Sequence, residues 1–316
     1  MTSEFLYNPP NVGSYCHCAT LIRTQPGNLL AAWYAYPEEE YKDAQLVLAR
    51  QVQGATGPRW GPSQTILPPS VYSHGNPVLF LAPKGRIYLF FVGLKGSYWN
   101  DADLQAVSSN DDGHTWTDPV SFQLPAGTMV RGTPLVGEQD ELLLPMYEER
   151  SKESILLVSE PPYHTWRMGY RFGDPPLIQP TLVREAHEGL TMYFRPTQDP
   201  KRIWRSVSRN EGKTWSNPIQ TPLPNPLSGI SAVSGGGVTA LIYNHTTEHR
   251  RYPLSVSVTQ DMGVTWSQPW HFENVEHEVS YPCFIHDGKG RFHGLYSFNR
   301  RMIKYVTFSE EEFQNL

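Results

Sequence analysis

Short apolar runs bounded by proline, glycine and polar clusters dominate the chain. Examples are Leu29-Leu30-Ala31-Ala32-Trp33-Tyr34 and Leu142-Leu143-Leu144-Pro145-Met146-Tyr147. Runs this short, set between turn signals, predict buried strands rather than helices. A second set of runs follows them at residues 45–49, 104–107, 155–158, 203–207, 254–258 and 303–308. Upstream lies a third set, often signed by proline: Asn76-Pro77-Val78-Leu79, Thr133-Pro134-Leu135-Val136, Gln179-Pro180-Thr181-Leu182 and Tyr281-Pro282-Cys283-Phe284. An outer strand is predicted to start at each of Trp60, Trp116, Trp166, Trp215 and Trp266, which recur about every 50 residues. Three strands and an outer fourth, repeated at that period, predict an all-β, six-bladed β-propeller of four-stranded antiparallel blades in a single domain, 1–316. The sixth unit stops too soon to hold its own outer strand. Glu4-Phe5-Leu6-Tyr7 has strand character and is predicted to close the ring there.

Three of the tryptophans end one motif, Ser/Thr-x-Asp/Asn-x-Gly-x-Thr-Trp, beginning at Ser109, Ser208 and Thr259. A decayed copy begins at Ser159, and Trp60-Gly61-Pro62 is a remnant. The residue types read as a structural turn: short polar side chains bond turn amides, glycine takes a permissive backbone angle, and tryptophan packs into the blade.

Composition narrows the partners. Hydrophobic residues make up 39% of the 316, enough for a core, and 28 prolines with 25 glycines suit a chain that turns often. A formal charge of −5 gives no general basic surface for a phosphate backbone, so nucleic acid is not expected as a partner. No apolar run is long enough to span a bilayer, and residues 1–10 lack a basic segment followed by an apolar one; a soluble, cytoplasmic protein that binds no membrane is expected. Cys16, Cys18 and Cys283 fall on inner strands that become neighbours on ring closure, and are read as buried small side chains. No histidine–carboxylate spacing of the metal-binding kind occurs, so neither metal nor cofactor is expected.

These boxes and six units resemble the sialidase (neuraminidase) superfamily over essentially the whole chain. In that family three arginines grip a substrate carboxylate, a tyrosine paired with a glutamate is the nucleophile, and an aspartate is the acid. Guanidinium forks suit a carboxylate, and a neutral tyrosine suits a carbon already bearing one. By this resemblance Tyr281 matches the nucleophile, Arg195 the second arginine, Arg250 or Arg251 the third, and Asp43 the acid. Two positions depart from it. The first inner strand, Tyr15-Cys16-His17-Cys18-Ala19-Thr20, holds no arginine, and Gln179 stands where a glutamate is expected. Poor activity on ordinary sialosides is therefore expected.

Read on their own, the inner strands place Cys18, Asn76, Thr133, Gln179, Ile230 and Tyr281 before the proline column. Strict alternation puts Cys16, His74, Arg131, Leu177, Ser228 and Val279 on the same face. The second strands end in Tyr34, Tyr147-Glu148, Arg195, Tyr243-Asn244-His245 and Ser297 to Arg300. The polar members, His74, Asn76, Arg131, Gln179, Tyr281, Tyr34, Glu148, Arg195 and His245, are expected to converge on one channel mouth. The aromatic loop at residues 96–101 is a candidate sugar platform. The leading expectation is an enzyme that cleaves a glycosidic bond in an anionic, acidic-sugar or uronate-like oligosaccharide. Arg131, Arg195 and Arg250 or Arg251 would hold the anion, Gln179, Asn76, His245 and Tyr34 would help bind it, and Tyr281 would exchange protons with Glu148 or His74. The alternatives are a β-elimination using His74 and Tyr281, and a glycan- or protein-binding propeller without turnover.

Overall fold

The computed structural model describes residues 1–7, 14–37, 43–54, 57–67, 72–96, 98–185 and 189–316. The described residues form six antiparallel sheets, and five of them run outward in sequence order from an inner strand. The inner strands are Tyr15–Arg23, Ser73–Leu81, the interrupted pair Thr128–Val130 and Leu135–Val136, Leu177–Arg184, Ser231–Gly235 and Val279–His286. We number the blades one to six in that order. Blade six takes its outer strand from the N-terminus, where Thr2–Tyr7 pairs antiparallel with Met302–Ser309. The propeller and its closure are those the repeat predicts.

Why the central strands read as unbroken apolar runs is clear from their burial. Leu190–Pro196 and Val238–Asn244 are buried along almost their whole length, because each blade packs against a neighbour on both faces. Outer strands such as Arg167–Phe172 are mostly exposed or half-buried. The core is accordingly split into layers between blades, for example Trp33, Leu295 and Ile303 between one and six, and Phe90, Leu144 and Met146 between two and three.

Hydroxyls on the inner strands tie adjacent blades together. Thr20 accepts from the Leu79 amide at 3.0 Å, Thr181 from that of Ala232 at 3.1 Å, and Ser231 from that of Phe284 at 3.0 Å. Each satisfies an inner-strand N–H that has no further strand to pair with.

The tryptophan boxes are closed turns. Ser109, Ser208 and Thr259 accept from the amides of Gly113, Gly212 and Gly263 at 2.8, 2.9 and 3.0 Å. Asp111 accepts from the Thr115 amide at 2.9 Å and its hydroxyl at 2.6 Å, and Asp261 does the same with Thr265 at 2.8 and 2.6 Å. The motif's polar atoms are thus engaged within the turn, consistent with its structural reading.

Candidate active site

Where the inner strands approach the channel, their pairing slips. Register shifts occur between His17 and Thr20, Gly75 and Val78, Ile178 and Thr181, and Ser280 and Cys283. In each slip one residue takes a left-handed backbone: Cys18 at φ 53°, Asn76 at 46°, Gln179 at 50° and Tyr281 at 56°. These are four of the six residues before the proline column. A non-glycine residue held there costs about 1–3 kcal/mol, and such positions cluster at functional sites. All four line one cavity of about 290 Å³, at the small end of ligand-site volumes.

The slip also changes which neighbours face inward. Alternation placed His74 and Arg131 beside Asn76 and Thr133, two residues apart. With a left-handed bulge the residue immediately before it shares the cavity, so His17 with Cys18 and Ile178 with Gln179 form its wall. In blade two that preceding residue is glycine, and in blade five, whose inner strand has no such bulge, Gly229 stands at the corresponding position. A Cβ on Gly75 would stand 2.9 Å from the Trp99 ring, and one on Gly229 3.2 Å from that of Tyr281. The missing side chains make room for the two rings.

Of the residues expected from sequence, Tyr281, Arg195, Arg251, Gln179, Asn76 and Tyr34 line the cavity. The others lie elsewhere. His74 is buried with its ring edge-on to Phe91. Arg131 lies beneath the cavity, donating to the Pro282 carbonyl at 2.7 Å with its guanidinium 5.4 Å from the Tyr281 ring centre. Glu148 accepts from Ser151 at 3.1 Å and pairs with Arg171. Arg250 stacks on Tyr252 and pairs with Glu248, so Arg251 is the arginine of the two that reaches the site. His245 bonds the Tyr243 hydroxyl at 2.8 Å. Asp43 is exposed in a turn, and residues 38–42 before it lie outside the described part.

Three wall residues with chemistry were not singled out by alternation: His17, Glu149 and Lys152. Arg300 and Tyr147 were noted only as strand-end polar groups, and Trp99 comes from the aromatic loop. Arg300 matters most. It follows Asn299 in the hairpin joining Arg291–Phe298 to Met302–Ser309, with φ of 52° and 51° for the pair, the backbone of a type I′ turn. Its carbonyl accepts from the Cys16 amide at 2.7 Å. The turn therefore delivers an arginine from blade six against residues 15–20 of blade one, a stretch without one.

Glu278 holds two of the arginines in place. Arg251 Nη1 donates to its Oε1 at 3.0 Å, Arg300 Nε lies 3.1 Å from both oxygens, and Ser280 donates at 2.7 Å. Burial raises the Glu278 carboxyl, but Arg251 and Arg300 together bring it below the usual range. We expect Glu278→Gln to lower stability by about 2 kcal/mol, measured by denaturant titration at neutral pH. Because the folded-state value is the depressed one, that difference should be full above the ordinary glutamate range, decline below it, and vanish once the pH has fallen through the lower folded-state value.

Tyr281 sits at the centre. Its hydroxyl accepts from Arg195 Nη1 at 3.2 Å and from Gln179 Nε2 at 3.3 Å, and Gln179 Oε1 accepts from Arg195 at 3.0 Å. Burial pushes the phenol up, yet Arg195 and Arg251 outweigh it and leave it below an ordinary tyrosine. Neighbouring Tyr147 is pushed up by burial, with Glu149 adding to the rise, and Arg195 does not offset it. Arg195 Nε is buried with no partner among the described residues, a donor available to an anion.

A family model described as BNR repeat-like domain matches residues 27–293. The chain belongs to that family. No curated protein sequence matches it. Among solved structures, the Hadza microbial sialidase Hz136 superposes with a TM-score of 0.77 at 16% identity, over 95% of this chain and 66% of that one. A protein of unknown function from Dyadobacter fermentans gives 0.79 at 15%, over 97% and 98%. The intramolecular trans-sialidase from Ruminococcus gnavus, in complex with oseltamivir carboxylate, gives 0.73 at 13%, over 95% of each chain. At these identities the likeness is one of fold: this BNR repeat-like chain shares its propeller with those structures.

Proposed function

We propose that this propeller cleaves a glycosidic bond in a glycan whose sugar carries a carboxylate. The observation that carries the reading is the convergence of three guanidinium groups, Arg195, Arg251 and Arg300, on one cavity with Tyr281. Planar forks grip a carboxylate bidentately, and the field of Arg195 and Arg251 makes the phenol easier to ionise than an ordinary tyrosine. Trp99 and Tyr34 line the same cavity and offer apolar faces for a sugar ring.

The protein should be incubated with a panel of acidic oligosaccharides and read by mass spectrometry. Cleavage of a carboxylate-bearing member, and not of its neutral counterpart, is expected. A simple aryl sialoside should turn over slowly: Gln179 presents an amide nitrogen to the Tyr281 hydroxyl, and an amide accepts no proton. Efficient sialoside turnover would contradict that expectation. Tight binding without turnover across the panel would make the propeller a glycan-binding module.

A further inference from the structure

His17 lies on the inner strand of blade one, directly before left-handed Cys18, and is 3% exposed. Its imidazole packs on the Tyr281 ring with centres 4.4 Å apart at 56°. Nδ1 is buried and has no hydrogen-bond partner among the described residues. Buried imidazoles that serve only packing place their nitrogens on partners, whereas this one stands in the wall of the cavity with a nitrogen unused. Carboxylates are scarce there: among the described lining residues Glu149 is the single one, and Lys152 pairs with it. Hydrolysis by the usual route asks for two acidic groups flanking the bond.

We propose that His17 and Tyr281 act as proton acceptor and proton donor, and that the site cleaves a uronate-containing glycan by β-elimination. The proposal rests on the reading that a sugar carboxylate is held by Arg195, Arg251 and Arg300. Guanidinium groups on that carboxylate acidify the C–H on the carbon next to it. The lone pair of an imidazole nitrogen of His17 takes this proton. The C–H electron pair becomes a double bond to the neighbouring β-carbon, and the β-carbon–oxygen bond breaks. The departing oxygen keeps that bond's electrons and takes the Tyr281 proton. No water is consumed, and one product bears a double bond conjugated with the carboxylate. The imidazolium then returns its proton to the Tyr281 phenolate, which restores both groups.

The surroundings suit these roles. Burial, then Arg300, Arg251 and Arg131, push the His17 imidazole well below the ordinary histidine range, so it is a neutral acceptor at neutral pH. Facing it are also the hydroxyls of Tyr281 and Tyr34 and the thiol of Cys18, which burial pushes up to about 11. None of these is a carboxylate. An incoming carboxylate brings a negative charge, which offsets the arginines and strengthens the base as the substrate binds.

The test uses the whole protein, oligosaccharides of hexuronates linked through the carbon β to the carboxylate, and water labelled with heavy oxygen. A product that absorbs in the ultraviolet through its conjugated double bond, and holds no label, is expected. His17→Gln should lower turnover about 100-fold or more with KM within about threefold, and the acid limb of the parent's pH–rate profile should disappear. Added imidazole should restore part of the activity of His17→Ala. If the alanine variant does not fold, the glutamine variant carries the test. Labelled product, or near-parental turnover in His17→Gln, overturns the elimination while the carboxylate-sugar reading stands. If no acidic oligosaccharide is bound or cleaved, that reading falls and the elimination falls with it.

Discussion

Tyr281→Phe is expected to lower the turnover number by two or more orders of magnitude on the true substrate while leaving the fold nearly as stable as before. The phenylalanine ring keeps the packing against His17 and the contacts with the Arg131 and Arg251 guanidinium groups, 5.4 Å from its centre. Only the oxygen goes, and with it the acceptor for Arg195 Nη1 and Gln179 Nε2. Both donors border the cavity, so the loss should be about 1 kcal/mol, visible in a denaturation curve. A group that gives or takes a proton in the transition state contributes about 10²–10⁴ in rate, which the turnover number reads directly. Near-parental turnover would make Tyr281 a lining residue and leave the arginine cluster to a binding function alone.

Deleting residues 1–7 should produce the largest loss of stability. That segment supplies the outer strand of blade six, with Thr2 opposite Thr307 and Tyr7 opposite Ile303. Leu6 and Tyr7 pack on the layer between blades one and six, and the Tyr7 ring lies 5.0 Å from that of Trp33. Removing two apolar side chains and a ladder of backbone bonds should cost about 4 kcal/mol and lower Tm by roughly 8 °C. The freed edge of Met302–Ser309 would also invite pairing between copies, so the truncated chain should associate as its concentration rises. An unchanged Tm would mean that the ring closes through contacts other than this strand.

The architecture was readable because it is repeated. A tryptophan box every 50 residues or so, each followed by an outer strand and preceded by apolar runs, leaves few alternatives to blades around an axis. The missing strand of the sixth unit, set beside the strand character of Glu4 to Tyr7, located the closure. The site was readable only where one residue column sufficed. Asn76, Gln179 and Tyr281 were found because the proline column marks their position in each blade. His74 and Arg131 were misjudged as their companions because a period of two holds only while the pairing register does. One left-handed residue shifts the inward face by a position, and nothing in a local sequence announces it, since Cys, Asn, Gln and Tyr share no intrinsic preference strong enough to mark a bulge. His17 was passed over for the same reason. Arg300 was hidden differently: its place beside Cys16 depends on the ring closing, a contact between residues 284 apart in sequence.

The left-handed bulges divide the cavity floor into interchangeable sockets. Each of the four blades that carry a bulge holds its strand through apolar layers behind it and presents one side chain to the cavity. Whatever residue occupies a socket inherits the same aim toward the axis, so the chemistry of the floor can be rewritten one blade at a time without disturbing the ring. Glutamine in blade four and tyrosine in blade six are then two settings on a common frame, coupled through their own hydrogen bond and through Arg195. A single exchange in one socket, a carboxylate for the amide of Gln179, would turn the group beside the Tyr281 oxygen from a hydrogen-bond donor into an acceptor on the same fold.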